Sequence, residues 1–483
     1  MNKLQAADHY IEENKGTVNN RPFFHFTAQI GWLNDPNGFT FYDGKYHLFY
    51  QHNPYDIVWN NMHWGHATTN DFINWEYQPI ALANDKIYDA NGCFSGSAIE
   101  KDGNLYLMYT GHIDPNLGYQ GDVTQIKQYQ CIAFSEDGIH FTKHQKNPVI
   151  AEKELPVGYM ICDFRDPKVI EIDGVYYCVL AVRNKDRRGE IIMYKSANLF
   201  DWTFHSSLYQ TKYEENIMLE CPDLFQIDGK DVLTFSIMPC GPEYAGEIYN
   251  KTAYAVGKID YEKGDFFAET EGLLDYGRNF YAPQSTEGKN GERLVIGWLQ
   301  QFNQERQPKD YGFNGMMSIP RELRLKDNNL VQQPYQDMSK TFNKMSIYDD
   351  VKLGVKEEAV LGNSKVAYLQ LNFSAINNDR FNIEVNKEGG KSTRITVNVR
   401  QNTISLESDY EDGNLIAIPD CFHNSDDELK IEVFLDLHSI EVFVNSGEKV
   451  LSFISYQKEK GDTISIKGLS ETEIKKLTYG TLS

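Results

Sequence analysis

The feature that most restricts the fold of this chain is an internal repeat. A tight-turn dipeptide followed at once by an apolar, aromatic run occurs five times: DGKYHLFY from Asp43, DGNLYLMY from Asp102, DGVYYCVL from Asp173, DGKDVLTF from Asp228 and NGERLVIGW from Asn290. Asp-Gly and Asn-Gly fit a two-residue hairpin, whose turn needs positive φ. The turn glycines, Gly44, Gly103, Gly174, Gly229 and Gly291, are spaced 55 to 71 residues apart. In three units a Ser or Thr precedes an aromatic residue by six positions: Thr69 and Trp75, Ser135 and Phe141, Ser196 and Trp202. Four-stranded repeats stacked radially make a β-propeller, which leaves few open sheet edges. Five units therefore predict a five-bladed β-propeller over residues 25–325. Unrelated hairpins in a β-sandwich are the competing arrangement.

The rest of the chain is read around that repeat. Leu4, Ala7 and Ile11 have helical spacing, so residues 1–24 are expected to be a helical lead-in. Residues 326–350 are polar and read as a linker. From 351 to 483, runs such as KVAYLQLNF, TRITVNV and LKIEVFLDLHSIEVFVN alternate as half-buried strands do, which predicts a C-terminal β-sandwich. The expected class is thus all-β. Net charge is −22, from 47 basic and 69 acidic residues, so nucleic acid and anionic lipid are poor partners. The seven cysteines are scattered without a CxxC pair, which suits free thiols in a reducing compartment. No apolar signal segment or membrane-length run is visible, so a cytoplasmic location is expected.

The chemistry is expected just upstream of the turns. Segments NDPNGF, FSGSAI, RDPKVI, ECPDLF and YAPQST stand seven or eight residues before each turn glycine. Four carry a proline (Pro36, Pro167, Pro222, Pro283), and Gly96 takes that place in the second. Proline is tolerated at the first residue of a strand, so these segments open the strand nearest the propeller axis. Asp35, Asp166 and Glu220 lie at or next to one repeat phase and are aimed at one funnel mouth. A lone Asp-Pro is more often a plain turn; three acids in phase need a reason, because grouped carboxylates raise each other's pKa. Glycosidases use such pairs, one carboxyl kept protonated to donate to the leaving oxygen. The loops after each second strand, among them 51–64, 111–125, 183–190, 238–250 and 300–315, return to that same face. Their amides and aromatics suit sugar hydroxyls and sugar ring faces.

WLNDPNG (32–38), FYQHNP (49–54), FSGS (94–97), FRDP (164–167) and ECPD (220–223), in this order, resemble the signature of glycoside hydrolase family 32, the invertases and sucrose-6-phosphate hydrolases. The resemblance runs on through SIPRELRL (318–325) and LHSIEVFVN (437–445). It implies a five-bladed propeller followed by a β-sandwich, and hydrolysis of a terminal fructosyl unit with retention. It implies Asp35 as nucleophile, Glu220 as acid/base, and Asp166 as the carboxylate that holds sugar hydroxyls in the transition state. It places Asn34, Gln51, Trp59, Phe94, Ser95, Arg165 and Trp298 in the fructose pocket. Leu33 stands where many members have Met, a change of similar volume. No cofactor or metal is required, and the expected partner is a small saccharide.

Other motifs read as structural. His63 and His66 form HxxH without a third ligand, and GGKST (389–393) lacks the Walker spacing because Val385 stands where Gly is needed. Cys221 has no evident base. Glu243 and Glu247 are loop acids, and Asp223 is expected to organise its own turn. Arg183, Lys185, Arg187 and Arg188 make a basic loop that could hold a substrate phosphate. An inverting propeller glycosidase on arabinan or xyloside, and a silent sugar-binding propeller, remain the alternative functions.

Overall fold

A computed structural model describes residues 1–115, 123–210, 216–240, 251–299, 309–335, 338–375, 378–411, 415–422, 428–457 and 460–482. Apart from short 3-10 turns, the described residues contain a single helix, α1 (Lys3–Asn14), and the remaining regular structure is β. A capping box between Asn2 and Gln5 starts α1, which buries Ala7 and Ile11 against Ile30 and Ile80. No helix among the described residues is long and apolar enough to cross a membrane.

The chain divides into two compact units. The first comprises residues 1–19, 26–273 and 280–330, and holds four antiparallel meanders and all but the end of a fifth. These are β1 (Gly31–Tyr42), β2 (Lys45–Asn53), β3 (His63–Thr69) and β4 (Trp75–Leu82); β5 (Gly92–Lys101), β6 (Asn104–Ile113), β7 (Lys127–Ser135) and β8 (Thr142–Lys143). Next come β9 (Arg165–Ile172), β10 (Val175–Arg183), β11 (Gly189–Ser196) and β12 (Thr203–Gln210), then β13 (Ile217–Ile227), β14 (Lys230–Pro239), β15 (Lys251–Asp260) and β16 (Asp265–Leu273). The fifth sheet joins β17 (Tyr281–Glu287) and β18 (Arg293–Trp298) to β20 (Arg321–Lys326) and β21 (Asn329–Pro334), while β19 (Phe313–Asn314) pairs in parallel with β1. Residues 326–350, expected as a linker, therefore carry β21 and the start of a further strand, Lys344–Leu353. The first strands pack in cyclic order: β1 on β5, β5 on β9, β9 on β13, β13 on β17, and β17 on β1.

The turn chemistry accounts for the repeat. Asp43-Gly44, Asp102-Gly103, Asp173-Gly174 and Asp228-Gly229 have positive φ at both residues, as the type I′ hairpin requires. The fifth signal departs from this: at Asn290-Gly291 only the glycine has positive φ, and the link is a wider loop from Glu287 to Arg293. The Ser/Thr marks fold the third-to-fourth strand link. Thr69 Oγ1 accepts from Phe72 N at 3.0 Å and Ser196 Oγ from Leu199 N at 3.0 Å. Phe72, Gly138 and Leu199, each three residues after its mark, all have positive φ.

A polar belt ties the five sheets together one residue past the Pro/Gly phase. Asn37 Oδ1 accepts from Gly96 N at 3.2 Å, and Ser97 Oγ accepts from Val169 N at 3.0 Å. Lys168 Nζ pairs with Asp223 Oδ1 at 2.8 Å and donates to Ser285 O at 3.0 Å. Asp223 Oδ2 accepts from Ser285 N, and Gln284 Nε2 donates to Gly96 O at 2.6 Å. Asp223 thus bonds to neighbouring sheets rather than organising its own turn. Buried backbone and charge are satisfied between sheets, which makes their mutual placement specific.

The second unit comprises residues 20–25, 274–279 and 331–483. It has two six-stranded antiparallel sheets that share one apolar core, including Leu369, Ile383, Val397, Leu406, Val433 and Ile466. His25 is buried here between two carboxylates, with Nδ1 at 2.9 Å from Asp436 Oδ2 and Nε2 at 2.9 Å from Glu441 Oε1.

Candidate active site

Each of the five first strands has a register shift at the Pro/Gly phase: between Leu33 and Pro36, Phe94 and Gly96, Glu220 and Asp223, Tyr281 and Gln284, and, opposite Asp166, between Val179 and Ala181. A bulge re-aims side chains and lets two consecutive residues serve one site. The backbone is strained to do so. Asp166, Cys221 and Ala282 have φ of 62°, 49° and 50° immediately before proline. A pre-proline residue prefers extended backbone, and left-handed backbone costs a residue with a Cβ about 1–2 kcal/mol. Such strain concentrates where geometry matters for function.

The three predicted acids meet. Asp35 Oδ2 accepts from Ser95 Oγ at 2.7 Å, and Asp35 Oδ1 from Asn34 Nδ2 at 3.0 Å. Trp32 Nε1 donates to Asn34 Oδ1 at 2.7 Å and so fixes which way that amide points. Cys221 Sγ lies 3.5 Å from Asp35 Oδ2 and 3.7 Å from Asp166 Oδ2, and Cys221 N donates to Asp166 Oδ2 at 2.9 Å. Arg165 joins the third acid: its Nη2 is 2.7 Å and its Nε 3.2 Å from Glu220 Oε1, and its Nε is 3.9 Å from Asp166 Oδ2. Tyr281 Oη donates to Glu220 Oε2 at 2.5 Å.

Like charges in low dielectric compete for protons. Burial pushes the Asp166 carboxyl up to about 7; Arg165 opposes this, while Glu220 and Asp35 add to it. Asp35 is also raised, first by burial and then by Glu220, against the donors Ser95, Asn34 and Cys221. The Cys221 thiol is held well above its ordinary value by burial and the surrounding carboxylates, so it stays a protonated donor rather than a nucleophile.

The predicted sugar-binding residues adjoin this cluster. Phe94 lies flat on His112, centroids 4.0 Å apart, and meets Trp59 edge-on at 5.7 Å. Trp59 is 40% exposed. Gln51 is buried and donates Nε2 to Cys93 O at 3.0 Å. Trp298 is fully buried and backs Tyr281 and Trp32, with centroids 6.5 Å and 5.8 Å away. Tyr281 was missed by the sequence reading, yet it shares the repeat position of Asn34, Phe94, Arg165 and Glu220.

Several motifs fall outside the cluster. His63 Nδ1 bonds Asn61 O at 2.5 Å and His66 Nε2 meets His47 Nδ1 at 3.1 Å; no metal-binding group of His, Cys, Asp and Glu occurs among the described residues. All seven cysteines are free. Arg183 does not join a basic patch: its Nε and Nη2 lie 2.8 Å and 2.7 Å from Asp163 Oδ2. Lys185, Arg187 and Arg188 are exposed. Glu243, Glu247 and much of the loops 111–125, 238–250 and 300–315 lie outside the described residues.

The whole chain resembles known proteins. Residues 25–334 match the glycosyl hydrolases family 32 N-terminal domain, and residues 334–480 match the family 32 C-terminal domain. The sucrose-6-phosphate hydrolase of Escherichia coli is 34% identical, over 92% of this chain and 91% of that protein. That of Bacillus subtilis is 32% identical over 96% of each. The solved Bombyx mori β-fructofuranosidase superposes with a TM-score of 0.84 at 29% identity, covering 99% of this chain and 98% of that one. The chain belongs to glycoside hydrolase family 32.

Proposed function

We propose that this glycoside hydrolase is a retaining β-fructofuranosidase. It removes the terminal non-reducing β-D-fructofuranosyl unit from sucrose, sucrose 6-phosphate or short fructo-oligosaccharides. The observation that carries the reading is the convergence of Asp35, Asp166 and Glu220 around Cys221 and Arg165. Five sheets with first strands in cyclic contact, followed by two facing sheets, support a five-bladed propeller and a C-terminal β-sandwich.

Asp35 is the nucleophile. Ser95 and Asn34 favour its ionised form and fix its carboxyl plane before attack on the anomeric carbon. Glu220, gripped by Arg165 and Tyr281, protonates the leaving oxygen and then takes a proton from the water that opens the fructosyl ester. Asp166, fixed by the Cys221 amide, binds ring hydroxyls and stabilises the oxocarbenium-like transition state. Asn34, Gln51, Trp59, Phe94, Ser95 and Arg165 line the fructosyl pocket, with Trp298 supporting its wall. Of the basic loop, Lys185, Arg187 and Arg188 are the side chains open to a 6-phosphate. Seven unpaired thiols fit a cytoplasmic enzyme.

The experiment is to hydrolyse sucrose in an NMR tube and compare wild type with Glu220→Ala. β-Fructofuranose should form first. Glu220→Ala should lose about 10²–10⁴-fold on sucrose but far less on a fructoside with a good leaving group, which needs little protonation. First appearance of the α-anomer, or equal losses on both substrates, would overturn the reading.

A further inference from the structure

Behind the acid/base lies a buried row of charges that alternates in sign. Arg183 Nε and Nη2 both reach Asp163 Oδ2, at 2.8 Å and 2.7 Å. Asp163 Oδ1 accepts from Arg165 Nη1 at 3.3 Å, and Arg165 Nη2 reaches Glu220 at 2.7 Å. Asp163 and Arg165 are buried, and Arg183 is largely so. Asp163 sits on a 3-10 turn, Ile161–Asp163, whose preceding Met160 N donates to Arg183 O at 2.9 Å. Backbone and side chain of Arg183 thus both hold the turn that presents Asp163. Gln128 Oε1 accepts from the same Nη1 at 3.4 Å, so the rear edge of the Arg165 guanidinium is occupied and its front edge faces Glu220.

We infer that Asp163 and Arg183 are positioning residues that act through Arg165: they orient its fork onto Glu220 and set how much of its positive charge the acid/base feels. Asp163 cancels part of the Arg165 field, and Arg183 cancels part of Asp163. The other groups facing Glu220 are Asp35 on β1, Asp166 on β9, Cys221 beside it on β13, Tyr281 on β17, and Cys240 just past β14. None of them separates Asp163 from Arg165. The inference rests on Glu220 being the proton donor.

The test is the pH dependence of kcat/KM on sucrose for Asp163→Asn and Arg183→Met. The alkaline limb reports the donor losing its proton in the free enzyme. Asp163→Asn removes the negative charge behind Arg165, so that limb should move to lower pH by roughly 0.5–1 unit. Arg183→Met removes the positive charge behind Asp163, so the limb should move the other way. The double variant should lie between them. A role in folding alone would lower activity in both variants without opposite displacements. Limbs that stay put, or move in the same direction, overturn the inference; if Asp163→Asn does not fold, an unmoved or lowered limb in Arg183→Met does so alone. Failure of the underlying reading looks different: the wild-type alkaline limb would then persist in Glu220→Ala.

Discussion

The cluster around Asp35, Asp166 and Glu220 and the cluster around His25 are both buried, and both set carboxylates against a cationic side chain. Their balances differ. At His25 both ring nitrogens face carboxylates, so the imidazole is a doubly donating cation, and its pKa rises to about 9 despite burial. Asp436 is correspondingly lowered from the ordinary carboxylate value. In the first unit Asp163, Asp166 and Glu220 share Arg165, and Asp35 stands beside them. Asp35 and Asp166 are raised, and the backbone before three of the prolines is strained. Buried charge that serves structure is paired off; buried charge that serves chemistry is left in conflict, because a reactive group must be poised between two protonation states.

The comparison breaks most visibly at Asp35. Asp35→Asn removes one of the conflicting charges and, under the proposed mechanism, the oxygen that forms the fructosyl ester. Turnover on sucrose should fall by about 10⁴-fold or more with the fold intact. Near-normal turnover in a verified variant would remove Asp35 from the mechanism.

In the paired cluster the effect should fall on stability. His25→Gln removes the cation between the buried Asp436 and Glu441 and should destabilise the second unit by about 3–5 kcal/mol near neutral pH. The wild-type contribution has a defined sign. A histidine raised to about 9 stabilises fully below its ordinary value of 6.5 and loses that stabilisation as pH rises through about 9. Hydrogen exchange of the strands Leu429–Leu435 and Ser439–Val444, followed from pH 6 to pH 10, should show that loss in wild type and not in His25→Gln. Parallel curves would contradict the pairing.

The smallest effect sharpens the contrast. Asp166 is raised to about 7, so between about pH 4 and pH 7 the folded chain holds a proton that the unfolded chain releases, and stability falls as pH rises through that window. Asp166→Asn should therefore stabilise the protein by about 1–3 kcal/mol at pH 8, with little gain near pH 4, while abolishing useful activity. Thermal melting at the two pH values checks this. An equal gain at both, or none at pH 8, would mean that the site carries no such cost.

How much of this was legible in the sequence depends on the range of each signal. Asp-Gly turns and the Ser/Thr marks are local, so the repeat and the phase of Asp35, Asp166 and Glu220 could be read directly. Asn290-Gly291 misled because the same dipeptide also fits a longer loop. The bulges were hidden, since the chain carries no mark of a register lapse beyond the prolines, yet they explain how Glu220 and Asp35 converge although they lie one residue apart in phase. Tyr281 was legible in principle from its repeat position. The Arg183–Asp163 pair was not: Arg183 sits in a basic run that invites a surface reading, and its partner is 20 positions away. His25 with Asp436 spans 411 positions and has no local signature.

The central claim is that Asp35 carries the fructosyl group between two steps assisted by Glu220. The most direct test is to slow the second step in Glu220→Ala, feed it a fructoside with a good leaving group, quench in acid, and map the labelled peptide by mass spectrometry. The account predicts a fructosyl ester on Asp35, in the peptide that contains NDPNG, which disappears on chasing with azide. An ester on Asp166, or turnover of the activated substrate with no covalent intermediate at all, would contradict it.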